Sequence, residues 1–428
     1  MSNKVQANSG LKSILHFLTI LIIIWSLTPF CRRNISIIFI VALIVLWVVF
    51  AFLLKAKNNI KVPIHIFFSI AWLLLIFSYR FIGFSNAAWG NYFNQLLFFM
   101  FVWIGDYYIR NMGEYYCTRI FQYTMIIAVI NIIHNIYLLF LYPNASVELN
   151  FSDIYNGTNI GGTTFSLFTL ILLCILLIII ADNSKNLKKW IYMALGTMCV
   201  VYIFGAARAI ATVFLIITVG IYLYMKLIYK KKQREKMLYV MLSIFLIFLL
   251  FINTEYFLRM ISSKIGNDGL AIRLNAMANA FSGNISGQDV ALLGRLELYK
   301  LSISTFFASF KNFIFGVGYH TTTNLSTSWL YTTGVGNHSE FLDLAARYGI
   351  IGVLIIYNFF RSFIKNLKKY NQSYYCFKGN IVWIIFLSYS FVNNTFDPSI
   401  GALIFLIFPL YLLNRCKYSK KEEVAVNN

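Results

Sequence analysis

Charge is what this chain has least of. Only 12% of its 428 residues are Asp, Glu, Lys or Arg, where a soluble domain carries about a quarter, and the mean hydropathy is +0.71. An ordinary soluble globular protein is excluded on that ground. Cysteine is sparse as well. The six cysteines (Cys31, Cys117, Cys174, Cys199, Cys376, Cys416) lie in or beside apolar runs, and the longest polar stretch has none. A disulfide framework or a thiolate metal site is therefore not expected. Acidic residues number 15 against 36 basic ones. In the long polar stretch they are scattered (Glu255, Asp268, Asp289, Glu297), so no metal and no cofactor is expected. The chain shows no internal repeat, which argues against an inverted-repeat transporter. It also lacks the alternation of apolar and polar residues that a membrane β-barrel needs.

What the chain does have is long apolar runs. "ISIIFIVALIVLWVVFAFLL" (35–54) and "TTFSLFTLILLCILLIIIAD" (163–182) approach or reach the roughly 20 residues that carry a helix across a bilayer. Backbone groups in lipid must be satisfied within the segment, so these runs are helices. The expectation is an all-α polytopic membrane protein, one transmembrane domain over 1–428 with about 12 spans. They fall at 11–30, 35–54, 62–79, 90–109, 120–142, 163–181, 190–206, 209–227, 237–255, 338–360, 379–395 and 398–414. Residues 11–30 do not end in a small-residue cleavage site and are read as a retained first span.

The formal charge of +21 follows topology. Most basic residues fall in alternate connections, among them "SKNLKK" (184–189) and "KLIYKKKQREK" (226–236). The positive-inside rule then places both termini in the cytoplasm. On this reading the basic residues meet lipid headgroups, and nucleic acid is not a partner. Arg32 and Arg33 break the pattern, because they fall on the outer side. The segment 254–336, rich in Gly, Ser, Thr and Asn, becomes a large outer loop between spans nine and ten. Loops of that length are uncommon unless functional, and short amphipathic helices are expected within it.

Ionisable groups on the outer side are the functional candidates. Arg208, in "VYIFGAARAIATVF", is either an arginine snorkelling to the headgroups or a fixed cation for the phosphate of a lipid-linked substrate. Arg295, in "LLGRLELYKLSISTFF", offers the same choice on a helix that could lie along the membrane surface. Arg259 and Arg273 are weaker forms of that argument. His338 and His320 are the two outer histidines. Asn337 has the character of an N-cap, with Glu340 three residues on as in a capping box. That would make His338 the first helical residue, at the positive end of the dipole. A neutral ring is favoured there, able to act as a general base. Asp343 and Arg347 stand four residues apart as a helix pair, though Asp343 could instead orient the histidine. The turns at Gly316/Gly318 and Gly334/Gly336 lack the context of phosphate loops.

The run "GRLELYKLSISTFFASFKNFIFGVGYH … GNHSEFLDLAARYGIIG", together with "AARAIATVF", resembles the O-antigen polymerase (Wzy-type) and O-antigen ligase superfamily. At motif level the resemblance covers 205–215 and 290–355. It implies a glycosyltransferase at the outer face of the bacterial cytoplasmic (inner) membrane. The donor would be an undecaprenyl-diphosphate-linked oligosaccharide, and the chemistry would need no metal. By position, His338 would activate the acceptor hydroxyl, while Arg208 and Arg295 would hold the diphosphate. Ala207 stands where the superfamily often has serine, and His338 is followed by Ser339 where ligases commonly have asparagine. The form is closer to polymerases, which join repeat units for O-antigen or capsule, than to ligases, which transfer glycan to lipid A core. The resemblance also implies a chain-length regulator and a flippase as partners. A flippase or transporter of the same lipid-linked sugars is the alternative from another class, kept open by His134, Asn131 and Asn135 within a span.

Overall fold

The computed structural model describes residues 2–55, 62–82, 87–141, 166–182, 184, 186–205, 209–229, 254–264, 271, 274–275, 278–279, 290–318, 335–336, 338–369 and 374–412. Among these residues it is all-helical. The chain runs through α1 (Ser2–Leu27), α2 (Pro29–Asn34), α3 (Ile37–Lys55), α4 (Ile64–Ile82), α5 (Ala87–Asn111), α6 (Glu114–Leu141), α7 (Leu167–Asp182), α8 (Asn186–Gly205) and α9 (Ala209–Tyr229). It continues with α10 (Thr254–Ser262), α11 (Val290–Phe307), α12 (Phe310–Phe315), α13 (Glu340–Lys369), α14 (Tyr374–Ser390) and α15 (Pro398–Gly401). α15 passes into a π-helical turn, Ala402–Ile407, that runs on to residue 412.

Helices lie over the expected segments from 11–30, which is interrupted at Thr28, to 209–227, and again over 379–390 and 398–412, with a turn at 391–397 between them; the segment 237–255 lies almost wholly outside the described residues. Four stretches are long and apolar enough to cross a membrane by length and composition: Gly10–Leu27, Ile37–Leu54, Glu114–Leu141 and Asn186–Gly205. Shorter apolar helices include Ile64–Tyr79, Leu167–Asp182 and Pro398–Leu412. Apolar helices of this length and number make the chain a membrane protein. Large apolar side chains are left mostly exposed on several helices, such as Ile38 at 77% and Phe52 at 71% exposure on α3. In lipid such groups carry no hydration penalty.

Three segments are instead sealed on nearly every side. They are Leu97–Val102 of α5, Phe168–Leu177 of α7 and Ile400–Leu412, the last of the described residues. A helix that is apolar all round belongs in the middle of a bundle. Around them an aromatic cluster closes: Phe98 stacks on Phe396 with centroids 4.7 Å apart, and Phe359 meets Phe99 edge to face at 5.0 Å.

Within the segment 254–336, helices form at α10, α11 and α12; α10 and α12 are short, whereas α11, at 18 residues, is longer than the short amphipathic helices expected there. The span expected at 338–360 takes a different form. Its helix begins at Glu340 and is broken at Gly349, where φ is 61° and ψ is −163°. The break has a partner. Val317 N–H donates to the Ala346 carbonyl at 2.9 Å, and Gly318 N–H to the Arg347 carbonyl at 2.8 Å. These two donors satisfy carbonyls that the end of the half-helix would leave orphaned. The approach is close enough to require glycine on both sides. A Cβ on Gly349 would stand 2.3 Å from the Ile314 carbonyl oxygen, and one on Gly316 (φ 73°) would stand 2.3 Å from that of Arg347.

Gly349→Ala is expected to destabilise the protein by about 2 kcal/mol or more, from backbone strain and the clash together. Gly113→Ala, with nothing within 4 Å of its Cβ, should change stability by less than about 0.5 kcal/mol. Thermal unfolding in detergent, variant against wild type, measures both.

Candidate functional site

The broken helix delivers its N-terminal half, 340–348, against the turn that joins α14 to α15. The N-cap is Ser339, not Asn337. The Leu342 N–H donates to Ser339 Oγ at 3.2 Å, and the Ser339 N–H donates to Asp343 Oδ2 at 3.0 Å. That is a reciprocal cap of the capping-box kind, with Asp343 in the role expected of Glu340. The expected pairing of Asp343 with Arg347 is replaced too. Asp343 is buried, and its other oxygen accepts from Ser302 Oγ of α11 at 2.6 Å. Ser302 in turn accepts from the Gly336 N–H at 2.9 Å. A carboxylate that terminates its own helix and reaches a neighbouring helix outweighs an exposed ion pair, because both of its bonds are buried.

Glu340 takes a different task. Its Oε2 accepts from the backbone N–H groups of Thr395 at 2.8 Å and Phe396 at 3.0 Å. Its own N–H donates to the Asn393 carbonyl at 3.2 Å. The carboxylate thus fixes the 393–397 turn onto the half-helix. Next in that turn, Asp397 receives Arg32 Nη1 at 2.8 Å and caps α15 through the Ser399 N–H at 2.9 Å. Ser399 Oγ also contacts Thr169 Oγ1 at 2.9 Å, and Thr169 contacts Ser166 at 2.7 Å. Arg32, which breaks the charge pattern of the sequence, stands where it does to meet this aspartate. The signal was present in the sequence, but its partner, 365 positions away, was not.

Between these elements lies a cavity of about 340 Å³. Its lining includes Glu340, Asp343 and Arg347 of the half-helix, Asn394 and Asp397 of the turn, and Gln95 of α5. Trp72 and Tyr348 also border it. They meet edge to face at 5.0 Å, and the indole N–H is held by Gln95 Oε1 at 3.1 Å.

No protein-family model matches the chain, and no curated protein matches it. The functional reading therefore stands on residues and geometry.

Of the residues singled out in the sequence, Glu340, Asp343 and Arg347 come together at this cavity. His338 is half-buried one position before the N-cap, and it does not line the cavity. The expected place for it as first helical residue thus moves by two positions. Arg259 is held through Asn279 Oδ1 at 2.7 Å on α10. Arg295 lies on α11 one turn before Tyr299, whose hydroxyl donates to the Val392 carbonyl at 2.7 Å; the Arg295 side chain is outside the described residues. So are Arg208, Arg273 and His320.

Two of the three acids of the cavity, Glu340 and Asp397, are driven in opposite directions. Burial raises Glu340 above its ordinary value of 4.5, and Asp343 adds to the rise. The Phe396 and Thr395 N–H groups and the Arg347 charge only partly offset it. At Asp397 burial also pushes upward, but the Arg32 guanidinium and the bonds from Ser399 outweigh it and hold the carboxyl below 3.8.

Opposite pH dependences follow. Glu340 contributes stability that is full below about pH 4.5 and lost as pH rises through its raised value. Asp397 contributes stability that is present above about pH 3.8 and lost as pH falls through its lowered one. Melting temperatures followed from about pH 4.5 to 8 should fall more steeply for wild type than for Glu340→Gln, which still offers an oxygen to Thr395 and Phe396. Arg32→Ala should cost about 1 kcal/mol or less, since its ion pair remains 21% and 33% exposed.

Proposed function

We propose that this protein is a membrane glycosyltransferase that joins lipid-linked oligosaccharide repeat units, a polysaccharide polymerase of the Wzy type. The observation that supports the reading most is the cavity at the broken helix. In a bundle this apolar, a recess bordered by three carboxylates, two of them of opposed acidity, an arginine and several amides is suited to a polar substrate delivered from the membrane. Saccharide hydroxyls fit carboxylate and amide partners, and a cation in the lining suits an anionic donor.

In this reading the donor is a polyprenyl-diphosphate-linked glycan and the acceptor is the non-reducing end of another lipid-linked repeat. The acceptor hydroxyl displaces the diphosphate at the anomeric carbon, and the configuration there inverts. Arg208 and Arg295 hold the diphosphate and balance its growing charge as it leaves, the role that preorganised cations fill in such displacements. The resemblance implies His338 as the group that activates the hydroxyl. The reading extends to about 12 spans, with both termini on the cytoplasmic side of a bacterial inner membrane and the cavity on the outer side.

One observation favours a second reading. A helix broken beside a polar cavity is also how transporters build substrate sites, so a carrier of the same lipid-linked sugars is the competitor.

Reconstitution separates the two. Purified protein in liposomes with a lipid-linked repeat unit is expected to produce longer lipid-linked glycans. Movement of the lipid-linked unit between leaflets without elongation would overturn the polymerase reading. Arg208→Ala and Arg295→Ala are each expected to weaken donor use about tenfold or more, read as kcat/KM. Full activity in both would leave them as headgroup-contacting arginines.

A further inference from the structure

We propose that Glu340, rather than the His338 that the resemblance implies, takes the proton of the acceptor hydroxyl. The inference rests on the glycosyl-transfer reading above and names a catalytic residue for it.

Position is the first argument. Glu340 lines the cavity together with Asp343, Arg347, Asn394 and Asp397, and His338 does not. A general base has to lie within hydrogen-bond reach of the proton it removes, so the group inside the recess has the advantage.

Orientation is the second. Both backbone donors of the 393–397 turn converge on one oxygen, Oε2. Among the described residues Oε1 accepts no hydrogen bond. The carboxylate is thereby fixed in direction while one oxygen is left for a ligand, which is the arrangement a preorganised base needs.

Glu340 and Asp397 also divide the labour. The two carboxylates share one cavity, but Arg32 and Ser399 hold Asp397, and Glu340 has only neutral donors as direct partners. The charged groups around Glu340 are Arg347 and Asp343 on its own helix and Asp397 with Arg32 across the turn. Burial dominates their sum and raises the Glu340 carboxyl, whereas Asp397 is held low. Paired acids whose environments pull their acidities apart divide into one that exchanges protons and one that stays ionised.

The acceptor oxygen bonds to the anomeric carbon as its hydrogen passes to Glu340 Oε1. The bond from that carbon to the diphosphate oxygen breaks, and its electron pair leaves with the polyprenyl diphosphate. The carboxylate loses one negative charge and the diphosphate gains one. Glu340 afterwards returns its proton to water.

The test uses the full chain in liposomes with a lipid-linked repeat unit, comparing wild type, Glu340→Gln, Glu340→Asp and His338→Gln between about pH 5 and 8. Glu340→Gln is expected to lower kcat about 100-fold or more, with the donor KM within about twofold. The acid limb of the kcat profile should vanish in that variant, persist in His338→Gln and be displaced in Glu340→Asp, which restores part of the rate. A thermal melt like that of wild type shows that Glu340→Gln is folded; should it not fold, the displaced or undisplaced limb of Glu340→Asp decides. Wild-type kcat in Glu340→Gln, or an acid limb lost in His338→Gln and kept in Glu340→Gln, would overturn the assignment and leave the glycosyl-transfer reading standing. Failure of the wild type to elongate would overturn both.

Discussion

The site depends on one interlock, the meeting of the half-helix end at Ala346–Gly349 with the backbone at Ile314–Gly318. Two N–H groups of that backbone satisfy carbonyls at the helix end, and contacts of 2.3 Å to a hypothetical Cβ leave room only for glycine. A helix cannot stop inside an apolar bundle unless its unpaired carbonyls find donors. Because they do, the first half of α13 is free to take its own direction. Residues 340–348 then carry Glu340, Asp343 and Arg347 to a recess, instead of continuing the line of the second half.

The polar groups are arranged so that nearly every one has a structural partner as well as a place in the cavity. Asp343 closes its own helix and reaches Ser302. Asp397 starts α15 and holds Arg32. Glu340 secures two backbone donors of a turn that would otherwise need water. Burying an ionised carboxylate without such partners costs several kcal/mol, so the hydrogen bonds are a condition for having acids here at all. Aromatic packing supplies the rigidity behind them: Phe396, two residues after Asn394, is locked against Phe98 at 4.7 Å.

The helical class and the helix-forming segments were legible because apolar runs and backbone satisfaction in lipid leave no other regular structure. The gathering of titratable residues at 338–347 was legible too, since such groups in front of an apolar run stand out in so poorly charged a chain. The roles inside that stretch were not. A capping box has the same composition whether it opens at Asn337 or at Ser339, and a shift of two positions moves His338 out of the helix and passes the reciprocal bond from Glu340 to Asp343. Arg32 was visible as an exception to the charge pattern, but local sequence could not supply Asp397 as its reason.

The sequence by itself determined a helical membrane protein with its polar chemistry concentrated late in the chain, because hydropathy and helix periodicity act over neighbouring residues. Only the tertiary structure decided which acids face one cavity and how each is tuned. Those properties come from contacts between residues far apart in the chain: Glu340 with the turn before α15, Asp397 with Arg32, Gly316 with the backbone at Arg347–Tyr348 and Gly349 with the backbone at Ile314–Phe315. Each is a matter of ångströms between segments that no local pattern records.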